Sequence, residues 1–168
     1  VSLCHVEVPV TPAGVTPVGY PVFASPPETL EAAAEVGFDY CTFASNHTFD
    51  QGFKGVEATL AKLDEEGIVH TGAYTDEAKA GIPGVLTTAS GVKLAVVAGS
   101  YHSNLKAPAG KAWALDRLDA ADMIQRGRAA REAGADVVLA AMHAGTEQQH
   151  KPNAEQVEVA TALARSGV

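Results

Sequence analysis

The sequence predicts an α/β fold with a mixed sheet, on the basis of three local patterns. Residues 38–44 are rich in aromatic and β-favouring residues, which is typical of a buried strand. Residues 53–66 follow with apolar side chains on one helical face: Val56, Leu60 and Leu63. Two apolar runs within residues 85–98 flank Ser90-Gly91 and predict a β-hairpin with a two-residue turn. A hairpin within an alternating strand-helix order makes the sheet mixed.

The other elements are predicted from the same two periodicities. In chain order they are a strand at 3–8, a helix at 28–36, a strand at 68–72, a helical turn at 76–80, a helix at 116–133, a strand at 136–142 and a helix from 153. The expected buried helix faces are Leu30, Ala33 and Ala34, then Leu118, Ala121 and Ile124, then Val157, Ala160 and Leu163. Residues 136–142 are the clearest buried strand. Six prolines within residues 9–27 predict an extended surface loop near the sheet edge.

Length and charge limit the classes of protein. The 168 residues suffice for a single domain with a sizeable core, and a net charge of -8 without a basic stripe disfavours nucleic acid as a partner. No apolar run approaches the roughly 18 residues of a membrane span, and no signal peptide is recognisable. The cysteines, Cys4 and Cys41, lie in predicted strands, where buried free thiols are favoured over a disulfide.

The two ends of the sequence suggest a longer parent domain. Val1 leads directly into a strand-like run, and residues 164–168 read as a helix end, a glycine stop and the start of another strand. We therefore expect residues 1–168 to be a single domain truncated at both ends.

Polar side chains follow three of the predicted strands. Glu7 lies near the end of the first, Asn46 and His47 follow the second, and His143 ends the strand at 136–142. Because ligands bind at the carboxyl ends of strands in open α/β sheets, these groups are expected to converge if the strands share one sheet. Carboxylate, amide and imidazole groups suit a divalent cation such as Mn, Fe, Mg or Zn. Alternatively, Ser45 or Asn46 simply caps the next helix.

Several of these segments together resemble the CapA/PgsA poly-γ-glutamate capsule-synthesis family. The segment from Ser45 to Gly52 is similar to that family's Asn-His-x-x-Asp-x-Gly signature. Residues 143–147, with Pro152 and Gln156, resemble its His-Trp-Gly-x-Glu-Tyr segment, residues 5–7 its Asn-Leu-Glu segment, and residues 101–104 its Tyr-Gly-x-Asn loop. The similarity follows the family's order along nearly the whole chain.

The resemblance implies a metallophosphoesterase-like α/β sandwich, in which Glu7, Asn46 and His143 occupy metal-ligand positions for a divalent cation or a dinuclear pair. His47 would protonate or stabilise the leaving group, with Asp50 fixing its tautomer. Tyr101, Asn104 and Glu147 are the candidates to contact substrate. The sequence departs from the family's pattern at three positions: His5 for Asn, Ala144 for Trp and Gln148 for Tyr. The family's Gly-Asp strand and Gly-His-x-x-His segment would lie outside residues 1–168, so the ligand set is expected to be incomplete.

Three functions are consistent with this reading. The first is a cell-surface or membrane-anchored capsule protein acting in poly-γ-glutamate synthesis, export or anchoring, alongside other capsule-synthesis proteins. The second is a metal-dependent phosphoesterase acting on a small phosphorylated substrate. The third is a non-catalytic module that binds an anionic polymer such as poly-γ-glutamate.

Overall fold

Two three-stranded sheets organise the chain in the computed structural model, which describes residues 1–167. The first sheet is parallel and its order is β1 (Leu3–His5), β2 (Tyr40–Thr42), β3 (Val69–Thr71). The second sheet has the order β4 (Val85–Thr87), β5 (Lys93–Ser100), β6 (Val137–His143). Strand β5 pairs antiparallel with β4 and parallel with β6. The predicted α/β class is confirmed, but the strands divide between two sheets.

Four α-helices accompany the described sheets: α1 (Glu28–Glu35), α2 (Gly52–Glu65), α3 (Ala120–Glu132) and α4 (Ala154–Ser166). Short 3-10 turns occur at Glu77–Lys79 and Ala112–Ala114. Helix α2 buries Val56, Leu60 and Leu63, and α1 packs through Leu30, Ala33 and Ala34, as their patterns predict. In α4, the Asn153 side chain and Gln156 form a capping box that fixes the helix start.

Alternating side chains place the sheets between two pairs of helices. Cys41 and Phe43 of the β2 segment belong to the apolar core formed with α1 and α2. Ala95 and Val97 of β5 belong to a second core formed with α3 and α4. The opposite sides of the two sheets line a common cavity, and the Tyr40 hydroxyl donates across to the carbonyl of Gly84 at 3.0 Å. The sheets therefore face each other.

An extended segment, residues 115–118, connects the two sheets. The predicted start of α3 at residue 116 is therefore wrong. Asp116 donates its N–H to the Gly72 carbonyl, and the Ser100 N–H donates to the Asp116 carbonyl. Leu118 donates to Ser100 in turn. These residues cannot be helical while they make these bonds, so α3 begins at Ala120, with the Asp119 side chain accepting the Asp122 N–H.

The predicted buried face of α3 is wrong at Ala121, and that of α4 at Val157 and Ala160, whereas Leu118 and Ile124 pack against the core as predicted. Helix α3 buries Met123, Arg126, Gly127 and Ala130, whereas Ala121 is exposed and Leu118 precedes the helix. Helix α4 buries Val159 and Leu163, while Val157 and Ala160 are exposed. In both helices another set of positions with helical spacing joins the core that β5 and β6 also line, so periodicity alone left more than one face available.

Strand β6 is not the buried strand that its apolar sequence predicts. Val138 packs beneath the helices, but Val137 and Leu139 are 39% and 38% exposed. In the described sheet β6 pairs with β5 on one side only, which leaves its alternate residues open.

The hairpin loop differs from its prediction, whereas the proline-rich segment lies at the surface as predicted, since residues 13–21 are exposed. The hairpin between β4 and β5 is confirmed, but its loop runs through residues 88–92 rather than two residues, closed by the Thr88 N–H donating to the Val92 carbonyl. The proline-rich segment is held in place, because Val10 pairs with Ser25 and is buried.

Cys4 and Cys41 form a disulfide, so the prediction of free thiols is wrong. The two residues are register partners on adjacent strands β1 and β2, with Cα atoms 4.5 Å apart. That distance lies within the range of ordinary disulfides. Thirty-seven residues separate the cysteines along the chain, and only the strand pairing brings them together.

A buried ion pair lies where α3 packs against the segment at residues 115–118. Arg126 Nη1 is 2.6 Å from Asp116 Oδ2, and both side chains are 7% exposed. The Tyr74 hydroxyl also donates to Asp116, and Arg126 donates to the Ala98 carbonyl. The pair thus joins α3, β5 and the connecting segment.

We predict that Arg126→Leu destabilises the protein by about 3–5 kcal/mol, because it leaves the Asp116 carboxylate buried without its cation. Arg128→Leu, an exposed change on the same helix, serves as the matched control and should alter stability by less than about 0.5 kcal/mol. Urea unfolding of the two variants measures the difference. Equal free energies of unfolding for Arg126→Leu and Arg128→Leu would show that the buried ion pair does not stabilise the fold.

The same network predicts a pH dependence of stability. Burial raises the pKa of Asp116 from 3.8 to about 6, although Arg126 opposes the shift. The folded state therefore binds a proton more readily than the unfolded state, and this contribution to the free energy of unfolding falls as pH rises from about 4 to 6. Asp116→Asn should remove this pH dependence, and urea unfolding of both proteins between about pH 4 and 6 measures it. If the free energies of unfolding of the two proteins changed equally with pH, the prediction would be contradicted.

Candidate functional site

A tight turn at residues 45–51 follows β2 and presents Asn46 and His47. The buried Thr48 hydroxyl accepts the Ser45 N–H at 3.0 Å and lies 3.0 Å from the carbonyls of Phe43 and Ser45. The Ser45 hydroxyl accepts the His47 N–H at 3.0 Å. Helix α2 begins only at Gly52, and no side chain caps its N-terminus. The alternative in which Ser45 or Asn46 caps α2 is therefore wrong.

His47 and Asp50 form a close pair within this turn. His47 Nδ1 lies 2.6 Å from Asp50 Oδ2, and the same oxygen accepts the Phe23 N–H at 2.8 Å. The Asp50 side chain is buried, whereas His47 is partly exposed. The Phe23 ring packs edge-on against His47 with centroids 4.8 Å apart. Together these contacts restrain the orientation of the His47 ring.

Asn46 and His143 meet at the opening between the sheets. Asn46 Oδ1 is 2.7 Å from His143 Nε2, and its other described partner is the Ser45 hydroxyl at 3.3 Å. Glu7 lines the same pocket of about 330 Å³, together with His47. The three predicted metal ligands are therefore neighbours in space.

The strands that carry these groups belong to two sheets. The convergence expected from the sequence assumed a single sheet. Glu7 and Asn46 follow β1 and β2 of the first sheet, whereas His143 ends β6 of the second. The site forms where the carboxyl ends of strands from facing sheets come together. Ser100 at the end of β5 pairs with His143 and with Arg117, so the segment connecting the sheets reaches the edge of the site.

Burial lowers the pKa of the His143 imidazole, and His47 and His102 act in the same direction, while Glu7 opposes them. His5 stacks on His143 with ring centroids 4.9 Å apart, and its own pKa is lowered by burial and by His143. The neutral imidazole that this environment favours is the form that ligates a metal ion.

The loop from Tyr101 to Asn104 covers one side of the turn. Tyr101 lines the pocket, and burial raises the pKa of its phenol, with Glu147 acting in the same direction. Asn104 lies against His47 instead, with its amide nitrogen 3.3 Å from Nε2. Of the three candidates for substrate contact, Tyr101 and Glu147 thus line the pocket and Asn104 does not.

Residues 144–147 form the other wall. Gln156 of α4 donates to the Ala144 carbonyl at 3.0 Å, and Asn153 donates to the Thr146 hydroxyl at 3.3 Å. Helix α4 therefore holds the loop that carries Glu147. Phe23 and the stacking of His5 on His143 were not predicted as parts of the site. The position of Phe23 within the proline-rich segment was the available signal, but its contact with Asp50 depends on tertiary structure.

The donors present fit part of a cation site. Within residues 1–167, no three His, Cys, Asp or Glu side chains are grouped as a metal site. The set at this pocket relies on the Asn46 amide oxygen in addition to Glu7 and His143. Its carboxylate, amide and imidazole donors match a borderline divalent ion. In this structure Asn46 Oδ1 and His143 Nε2 are hydrogen-bond partners, 2.7 Å apart.

Comparison with known proteins identifies the family. The family described as bacterial capsule synthesis protein PGA_cap matches residues 1–168. The chain belongs to this capsule-synthesis family. The resemblance read from residues 45–52 and 143–147 is thereby confirmed.

Individual relatives agree with this assignment. Over 146 residues the chain is 28% identical to the capsule biosynthesis protein CapA of Bacillus anthracis, covering 83% of this chain and 35% of the relative. Two uncharacterized proteins of Sinorhizobium fredii (strain NBRC 101917 / NGR234), y4sH and y4uA, are each 36% identical over 97 residues, covering 56% of this chain and 21% of theirs. The chain thus spans about a third or less of the length of these relatives.

Across the described part of this capsule-synthesis chain, no helix has both the length and the apolar character needed to cross a membrane.

We predict that the turn at residues 45–51 depends on the Thr48 hydroxyl. Thr48→Val keeps the shape of the side chain but leaves the Ser45 N–H without its buried acceptor, which should cost about 1–3 kcal/mol. Thr48→Ser retains the hydroxyl and is the control, with a smaller loss. Thermal and urea unfolding compare the variants. A Thr48→Val protein as stable as Thr48→Ser would contradict this account of the turn.

Proposed function

We propose that this domain of a capsule-synthesis protein is a metallophosphoesterase-like unit that acts in poly-γ-glutamate synthesis, export or anchoring at a divalent cation held by Glu7, Asn46 and His143. The observation that supports it most directly is the 2.7 Å contact of Asn46 Oδ1 with His143 Nε2 in the pocket that Glu7 also lines. A complete or dinuclear site would need further ligands in addition to these three.

The charge of the pocket supports a cation. Glu7 and Glu147 line it, and no Lys or Arg is among the described lining residues. An anionic ligand, whether a polymer of glutamate or a phosphorylated molecule, would meet carboxylates unless a bound cation neutralised them.

The residues of the site have distinct proposed roles. When bound, a divalent cation would polarise the scissile group and lower the pKa of a water molecule toward about 7. Asp50 accepts the Nδ1 proton of His47, which leaves Nε2 as the ring atom that exchanges a proton with the leaving group. Tyr101 and Glu147 line the pocket wall and would contact substrate there.

A non-catalytic polymer-binding module is the second candidate. It is favoured by the absence of a group of three His, Cys, Asp or Glu side chains among residues 1–167. A domain with this donor set would retain the fold and use the pocket to hold polymer. Action on a small phosphorylated substrate uses the same site and differs only in the ligand.

An extracytoplasmic, cell-surface location belongs to the same proposal. Disulfides persist in oxidising compartments outside the cytoplasm, and the Cys4–Cys41 bond is consistent with such a location. The family's role in capsule synthesis supports it as well.

Metal binding is tested on the full chain with Asn46→Ala and His143→Ala. Each should bind Mn²⁺ or Zn²⁺ at least about tenfold more weakly in calorimetry, since removing a direct ligand should cost no less than removing an outer hydrogen-bond partner. His150→Ala, which removes an exposed loop histidine, is the control and should bind as the unaltered chain does. Unchanged metal content in both site variants would reject the cation site.

Turnover of a generic phosphodiester by the metal-loaded chain, lost in the same variants, would support catalysis. Poly-γ-glutamate binding that persists in Asn46→Ala without any turnover would favour the binding module instead.

A further inference from the structure

The Cys4–Cys41 disulfide lies close to the site, and the chemistry proposed above makes no use of it. His5 follows Cys4, and its ring stacks on that of His143 with centroids 4.9 Å apart. Thr42 follows Cys41, and its Oγ1 lies 2.8 Å from His5 Nδ1. The bond is therefore one residue away from the contact that joins the first sheet to His143 of the second.

Strand β1 has few other contacts that hold it in place. It is three residues long and, in the described sheet, it pairs with β2 alone. Leu3 and His5 are exposed, while Ser2 and Val6 extend the backbone pairing by one residue on each side. A short, largely exposed edge strand opens more readily than the packed centre of a sheet. The covalent bond therefore contributes much of what keeps β1 on β2.

Glu7 lies between the disulfide and a second attachment of the chain. Pro9 and Val10 are buried, and the Val10 N–H donates to the hydroxyl of Thr59 in α2 at 3.0 Å. These contacts do not involve β1, so they persist when the disulfide is broken. Residues 1–8 are thus the part of the chain whose position the disulfide controls, and they include the Glu7 side chain that lines the site pocket.

We propose that the site depends on the oxidation state of Cys4 and Cys41: the disulfide holds β1, and with it His5 and Glu7, beside His143, and reduction releases residues 1–8. The effect on cation binding rests on the proposed function, whereas the release of β1 does not.

The redox step is an ordinary thiol–disulfide exchange. An external dithiol supplies two electrons and two protons, the S–S bond breaks, both cysteines become thiols, and the dithiol closes to its own disulfide. Because cytoplasmic thiols keep most cysteines reduced, the site would be complete only in an oxidising compartment.

Hydrogen exchange of the full chain, followed by NMR without metal, tests the release of β1. The Val6 N–H, which donates to the Thr42 carbonyl, reports on the first sheet at β1. The Ser100 N–H, which donates to the Asp116 carbonyl, reports on the second sheet. Excess dithiothreitol should speed exchange at Val6 at least about tenfold and leave the rate at Ser100 unchanged, because β1 opens locally.

The double variant Cys4→Ala, Cys41→Ala is the matched control. Its Val6 N–H should exchange as fast as in the reduced chain, and dithiothreitol should change neither rate. Equal acceleration at Val6 and Ser100 would show that the disulfide stabilises the whole fold instead, which would overturn the proposal. An unchanged Val6 rate after reduction would overturn it as well.

Calorimetry with Mn²⁺ measures the consequence for the site. Mn²⁺ is chosen because the thiols of the reduced chain would themselves bind Zn²⁺. The double variant should bind Mn²⁺ at least about tenfold more weakly than the oxidised chain, since Glu7 is no longer held beside Asn46 and His143. Equal affinities with β1 released would overturn the dependence of the site on the disulfide. If the oxidised chain bound no Mn²⁺, the proposed function would fail, and hydrogen exchange would still decide whether the disulfide holds β1.

Discussion

The close approach of the two sheets at Gly72 is the constraint on which the site depends. A Cβ atom there would lie 2.8 Å from the Cβ of Ala44 and 3.2 Å from that of Ala98, and φ is +98°. Glycine therefore lets the end of the β3 segment lie between the β2 and β5 segments. The Gly72 carbonyl then accepts the Asp116 N–H, and Asp116 continues to Ser100 at the end of β5. This connection sets the ends of β2 and β6 side by side, which brings Asn46 to His143.

Once the sheets are fixed, the remaining parts of the site are held by local contacts. Thr48 closes the turn after β2, Gln156 fastens the loop after β6, and Arg126 ties α3 to the connecting segment. Each contact uses a buried or partly buried polar group whose partner comes from a different element, except for Thr48, whose partners lie within its own turn. The rigidity of the site thus comes from the packed frame, and its open face is formed by exposed side chains such as Glu7 and Glu147.

The sequence was most informative for helix α2, through its hydrophobic periodicity, and for residues 45–52, through their polar side chains. Helix α2 has a single continuous apolar face, and residues 45–52 carry an amide, an imidazole and a carboxylate in a short span, so both were predictable. The faces of α3 and α4 were not, because alanine-rich helices offer several faces of similar polarity. Neither the Cys4–Cys41 disulfide nor the contact of Phe23 with Asp50 could be predicted, since both depend on which strands and loops become neighbours.

The acidic lining of the pocket has a consequence for how ligands arrive. With Glu7 and Glu147 at its wall and no Lys or Arg among the described lining residues, the unloaded pocket would repel an anionic ligand of the kind proposed. Added salt would then screen a repulsion, and raising the ionic strength should speed the encounter of polyanion and protein until a divalent ion reverses the local potential. In that case the divalent ion would have to bind before the anionic ligand.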